Sequence, residues 1–78
     1  MTDTIMWSKY NCSYCDQAKK LLQAHDIKFE ERKIGDGWTK EELLEAIPTA
    51  RTVPQIIVNG QYIGGYTELR TFLTEKAE

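Results

Sequence analysis

Gln55-Ile56-Ile57-Val58-Asn59-Gly60-Gln61-Tyr62-Ile63 reads as a β-hairpin from its own residues. Asn-Gly accepts the positive φ angles of a tight two-residue turn, and a β-rich run flanks it on each side. The strands Gln55 to Val58 and Gln61 to Ile63 are therefore expected to be antiparallel. Downstream, Gly64-Gly65 ends the hairpin. Thr67 to Lys76 then places Leu69, Phe72 and Leu73 on one helical face. Upstream, Thr39 followed three residues later by Glu42 is a capping box. It opens a short helix through Leu43, Leu44 and Ile47, which Pro48 helps to end. Gly35-Asp36-Gly37 breaks the pattern before it.

The N-terminal part has a different grammar. Thr4 to Ser8 is short and β-rich. Ser13 to Ala24 sets Cys15, Ala18, Leu21 and Leu22 on one helical face, and Lys28 to Lys33 reads as another strand. Strand, helix and strand make a βαβ unit, whose two strands run parallel. Joined to the hairpin, this gives the order β-α-β-α-β-β-α: an α/β fold with a four-stranded mixed sheet and three helices. No repeat, low-complexity tract or linker interrupts the 78 residues, so residues 1–78 are expected to form a single domain.

Composition narrows the function classes. Ten basic and twelve acidic residues are mixed along the chain, for a net charge of −2, and no basic patch stands out to hold nucleic acid. No apolar stretch is long enough to span a membrane. The first residues carry an acid and lack the basic and apolar regions of a secretory signal. With only two cysteines, a disulfide-rich secreted scaffold is ruled out. These features point to a soluble, cytoplasmic protein in a reducing compartment.

The two cysteines lie in Cys12-Ser13-Tyr14-Cys15, where the first strand gives way to the first helix. At a helix start, unpaired N–H groups and the macrodipole favour negative charge. They stabilise a Cys12 thiolate, the form that attacks disulfides. Lys9 adds a nearby positive charge, and Asp16 opposes it. Cys15, one turn further on, is expected to be more buried. Other readings of the pair are weaker. A structural zinc site usually needs four Cys or His ligands, and the chain has two Cys and one His. A structural disulfide closing so short a loop removes little unfolded-state entropy, about 2 kcal/mol. His25 reads as a surface residue, and Trp7 and Trp38 as packing residues.

Three separated segments carry a family resemblance. Lys9-Tyr10-Asn11-Cys12-Ser13-Tyr14-Cys15 resembles the active-site stretch of glutaredoxins. Thr52-Val53-Pro54-Gln55-Ile56 resembles their Thr-Val-Pro segment, and Gly64-Gly65-Tyr66-Thr67-Glu68-Leu69 resembles the Gly-Gly turn before their last helix. The element order is the glutaredoxin form of the thioredoxin fold. The resemblance implies a glutathione-dependent thiol–disulfide oxidoreductase, with Cys12 as nucleophile and Cys15 as resolving thiol. It implies a cis bond before Pro54, which would present the Val53 backbone to the cysteinyl part of glutathione, with Thr52 beside the same groove. Lys9 and Tyr14 would flank the reacting sulfur. Gly65 would admit close approach, and the N–H groups of Thr67 and Glu68 would receive the γ-glutamyl carboxylate. Lys40 is a candidate for the glycyl carboxylate.

The expected partners are glutathione as co-substrate and disulfide or glutathionylated proteins, ribonucleotide reductase among the family's acceptors. The chain is expected to act as a monomer with no obligatory metal. Two alternatives stay open. One is a thioredoxin-like protein reduced directly by a reductase. The other is a dimer bridged by a [2Fe–2S] cluster, holding Cys12 of each subunit and serving cluster carriage or sensing. Ser13 departs from the proline usual between these cysteines, and Thr67-Glu68 departs from the usual acidic pair.

Overall fold

A computed structural model describes residues 3–76, so the ends of the expected 1–78 domain lie outside the described residues. Seven elements follow in order: β1 (Ile5–Lys9), α1 (Ser13–Ala24), β2 (Glu30–Ile34), α2 (Lys40–Ala46), β3 (Gln55–Val58), β4 (Gln61–Gly64) and α3 (Tyr66–Lys76). The expected order and the four-stranded mixed sheet with three helices are both present.

The sheet order is β2-β1-β3-β4. β1 pairs with β2 in parallel, from Ile5↔Glu30 to Lys9↔Ile34. It pairs with β3 antiparallel, with Ile5 opposite Ile57 and Trp7 opposite Gln55. β3 and β4 form the Asn59-Gly60 hairpin, in which Asn59 and Gly60 have φ of 50° and 81°. These left-handed angles are the ones Asn and Gly tolerate best.

Several expected boundaries move: β1 runs Ile5–Lys9 rather than Thr4 to Ser8, β2 ends at Ile34 rather than Lys33, α2 ends at Ala46 rather than Ile47, and β4 ends at Gly64 rather than Ile63. The second strand starts at Glu30 rather than Lys28, because pairing begins where Glu30 N–H donates to Thr4 O at 2.9 Å. Phe29 lies outside the strand and packs its side chain against the core instead. The last helix starts at Tyr66, one residue earlier than expected, because Gly65 O already accepts from Leu69 N–H at 2.9 Å. The capping box at α2 forms as expected. Glu42 N–H donates to Thr39 Oγ1 at 3.1 Å, and Thr39 N–H donates back to Glu42 Oε1 at 2.9 Å.

The sheet separates two clusters of side chains. On one face Met6, Ile56 and Val58 pack with Ala18 and Leu22 of α1 and Leu69 and Leu73 of α3. On the other, Trp7 packs with Leu43 of α2, Ile47 and Ala50, flanked by Ile5, Ile34, Trp38, Val53 and Ile57. Alternation along β1 explains the split, since Met6 faces one way and Ile5 and Trp7 the other. Trp38 meets Trp7 edge-on with centroids 5.3 Å apart, and the Arg32 guanidinium lies 4.4 Å from the Trp38 ring centre. Both tryptophans thus serve packing, as expected.

Candidate active site

β1 is the second strand of the sheet and its C-terminal end leads directly to the cysteines. Asn11, at φ 55°, turns the chain out of the strand, and Cys12 is extended and caps α1. Cys15 N–H points at Cys12 Sγ, 3.1 Å away. The sulfur therefore occupies the cap position, where the first-turn N–H groups and the macrodipole favour a negative charge. A thiolate formed there on reduction is stabilised by its position. In this structure Cys12 and Cys15 are joined as a disulfide, with Cα atoms 5.2 Å apart. Cys12 is half-buried and Cys15 is 2% exposed. An incoming reactant can therefore reach the first sulfur and not the second, as the spacing predicted.

β3 runs antiparallel to β1, so its N-terminal end lies beside the C-terminal end of β1 and the Thr52-Val53-Pro54 segment is delivered to the cysteines. The Val53–Pro54 peptide bond is cis, as expected. Its sharp turn brings Val53 O to 3.8 Å from Cys12 Sγ. Pro54 is buried, and a Cβ on Gly65 would lie 3.3 Å from Pro54 O. This tight approach shows why a glycine sits at position 65. Gly64 is more constrained still. Its φ is +126°, and a Cβ there would fall 2.8 Å from Glu68 Cγ.

A groove of about 220 Å³ opens beside Val53. Its lining includes Lys9, Lys40, Arg51 and Thr52 along with Ile34 and Leu43. Three cations and no carboxylate line it, which suits a ligand that is anionic at one end. Lys9, Thr52, Val53 and Lys40 are thereby brought together along one groove. Arg51 was missed, although it directly precedes the Thr-Val-Pro segment that drew attention.

The last helix behaves differently. Glu68 Oε1 accepts from Gly65 N–H at 2.9 Å, so this side chain reaches back to cap its own helix. The Thr67 and Glu68 side chains line a separate hollow with Gln61, Tyr62 and Phe72, away from the cationic groove. Only their backbone N–H groups belong to the helix start that follows Gly65. Tyr14, 60% exposed, meets Tyr66 with ring centroids 5.8 Å apart and forms an aromatic wall beside the cysteines. Tyr66 was not anticipated, since nothing but its place after two glycines marks it.

The neighbouring turn is tied down through Tyr10. Lys33 Nζ lies 4.8 Å from the Tyr10 ring centre. Desolvation, with the Asp36 charge and its hydrogen bond, pushes the Tyr10 hydroxyl above its ordinary pKa. Among the described residues, no three His, Cys, Asp or Glu side chains stand together to hold a metal ion. No described helix is long and apolar enough to cross a membrane.

A reactive cysteine capping a helix, opposite the backbone that precedes a cis-proline, narrows the class to thiol–disulfide oxidoreductases of the thioredoxin fold. Comparison with known proteins sharpens this. The glutaredoxin family model matches residues 4–63. Glutaredoxin-C4 of Arabidopsis thaliana is 36% identical over 66 residues, covering 78% of this chain and 47% of that protein. Glutaredoxin 1 of Escherichia coli (strain K12) is 34% identical over 82 residues, covering 96% of each. Among solved structures, a buckwheat glutaredoxin–glutathione complex superposes with a TM-score of 0.81 at 23% identity, over 96% of this chain and 71% of that one. The chain belongs to the glutaredoxin family.

Proposed function

We propose that this protein is a glutathione-dependent oxidoreductase acting on disulfide and glutathionylated protein substrates in the cytoplasm, as a single-domain monomer. The observation that carries the reading is the placement of Cys12 Sγ 3.8 Å from the O of Val53, a residue that lines a groove with Lys9, Lys40 and Arg51. Glutathione has a central thiol and a carboxylate at each end. Its glycyl carboxylate would meet the three cations, and its cysteinyl backbone would pair with Val53 in the manner of a strand. Its γ-glutamyl carboxylate would reach the first N–H groups of α3, Thr67 and Glu68 among them. Tyr14 closes the outer wall and Gly65 leaves room for the backbone. Because Glu68 already occupies Gly65 N–H, its carboxylate stands as a fixed negative charge beside that end, suited to the γ-glutamyl ammonium.

Turnover then uses thiol–disulfide exchange throughout. The Cys12 thiolate attacks the glutathionyl sulfur of a mixed disulfide. A Cys12–glutathione disulfide forms and the substrate thiolate leaves. A second glutathione, as thiolate, attacks that sulfur, releasing glutathione disulfide and restoring the Cys12 thiolate. With a protein disulfide, Cys15 attacks the mixed disulfide at Cys12 and expels the second substrate thiolate. This leaves the Cys12–Cys15 bond seen here. Two glutathiones reduce it, and a flavin reductase returns them to the thiol form. Ribonucleotide reductase is one protein acceptor the reading allows.

Glutathione-driven reduction of a small glutathionyl mixed disulfide tests the reading. Cys12→Ser should lose at least about a hundredfold in rate, whereas Cys15→Ser should keep the one-thiol route. Wild-type protein that turned over with a flavin-dependent reductase but not with glutathione would overturn it.

A further inference from the structure

Gln55 is a buried polar side chain that the exchange chemistry does not use. It is 6% exposed, and both ends of its amide are satisfied. Nε2 donates to Thr52 O at 2.8 Å. Oε1 accepts from Tyr62 Oη–H at 2.6 Å. The amide orientation is unambiguous, because a backbone carbonyl can only accept and so must face the NH2 end. The first bond closes a ring of four residues, Thr52 to Gln55, around the cis bond. The second ties that ring to β4, the strand beyond β3.

Sheet geometry explains why these groups meet. Gln55 lies opposite Trp7, and Ile57 lies opposite Tyr62. Gln55 and Ile57 are two residues apart on one strand, so Gln55 and Tyr62 share a face as diagonal neighbours. A register shift between Ile56 and Ile57 sits at the same place. The Thr52–Pro54 segment belongs to no strand, yet it must hold Val53 O beside the cysteines. Strand pairing alone begins only at Gln55.

We propose that Gln55 and Tyr62 are positioning residues, a part-buried hydrogen-bonded tie that holds the cis-proline loop ready to pair with the backbone of the incoming disulfide substrate. The tie acts on docking and not on the sulfur. The hydrogen bonds of Gln55 and Tyr62 run to Thr52 and to each other, not to Cys12 or Cys15, and Tyr62 lies on the far side of β3 from β1. Substrates that engage the Val53 backbone should therefore feel its loss as weaker binding, with the intrinsic exchange rate at Cys12 preserved. The role rests on thiol–disulfide exchange at Cys12 and on the docking of substrate backbone at Val53 in the reading above.

The experiment uses Tyr62→Phe, which removes only a hydroxyl from a half-exposed ring, and Gln55→Met, which keeps the volume and removes both bonds. Each reduced protein is mixed in single turnover with a disulfide-containing peptide, with no glutathione present. In parallel, glutathione-driven turnover of a glutathionylated peptide is measured. The half-saturating peptide concentration should rise about threefold for Tyr62→Phe and about tenfold for Gln55→Met, in line with losing one or two part-buried hydrogen bonds. The limiting rate and the ultraviolet titration of the Cys12 thiolate should stay at wild-type values. Unchanged half-saturation in a folded Tyr62→Phe protein would overturn the proposal, as would a fall confined to the limiting rate. The glutathione-free arm stands even if glutathione proves not to be the reductant, so failure of the tie and failure of the glutathione reading give different results.

Discussion

The two faces of the sheet are built to different standards. The face under α1 and α3 is a continuous aliphatic cluster, with Met6, Ala18, Leu22, Ile56 and Leu69 fully buried. The face under α2 buries four residues against one helix of seven residues. It closes its margin with the Trp7–Trp38 edge contact and the Arg32 guanidinium over both rings. The Trp7 indole N–H is buried there with no acceptor among the described residues, a cost of about 1–3 kcal/mol. Close packing makes one face a support. The other leaves a helix edge unfilled, and the cationic groove opens there. The groove thus opens under α2, while both cysteines belong to the start of α1 on the closely packed face.

The comparison can be broken by cutting one leucine on each side. Leu69→Ala empties a site that is fully buried between α3, the sheet and α1, and should cost about 3–5 kcal/mol in urea unfolding. Leu43→Ala, beside an open groove able to relax, should cost about 2–3 kcal/mol. Equal losses would mean that the α2 face is packed as tightly as the other.

A smaller effect sharpens the same contrast. Thr39→Ala removes the cap from a helix of only two turns and should lower stability by about 1 kcal/mol. Because Lys40 and Leu43 of this helix line the groove, the half-saturating concentration of a glutathionylated peptide should rise alongside. Destabilisation with unchanged half-saturation would show that α2 frays without disturbing the groove.

The smallest effect concerns the face of α1. Glu31 accepts from Ser8 Oγ at 2.8 Å and pairs with Lys19 at 2.9 Å. Burial alone would raise its pKa. Hydrogen bonds from Lys19 and Ser8, with the Lys19 and Lys33 charges, outweigh burial together and hold the carboxyl below its ordinary value. A depressed carboxylate pKa gives stability that is present above the unfolded pKa, about 4.3, and is lost as pH falls through the folded value. The advantage of wild type over Glu31→Gln should therefore be under about 1 kcal/mol at neutral pH and disappear as pH falls through the lowered folded pKa. A gap independent of pH would remove the carboxylate from the explanation.

Much of this was legible because local chemistry and global fold agree. Asn59-Gly60, the Thr39–Glu42 box and the helical spacing of Cys15, Ala18 and Leu22 each have one strong local meaning. The Thr52-Val53-Pro54 segment carried its cis bond through family resemblance and not through periodicity. What escaped reading depends on strands coming together. Gln55 is a polar residue in an apolar run until Tyr62 is placed diagonally beside it. Arg51 looks like a surface charge until α2 folds over the end of β1. The expectation for Glu68 concerns its backbone N–H, and its side chain turns out to take the Gly65 N–H three residues back. Phe29 looked like a strand residue because alternation in sequence cannot tell a paired strand from an extended approach to one.

The contact between Cys12 and Val53 spans 41 positions of the chain. It exists only because β1 and β3 are neighbours running in opposite directions, the longest-range pairing in the sheet. Both cysteines and the helix that Cys12 caps are local, and they can form early in a growing chain. The backbone opposite them arrives only once Ile5 has found Ile57. A nascent chain therefore carries a reactive dithiol long before it carries anything to select what that dithiol meets. The interval between the two is set by topology and not by the cysteines themselves.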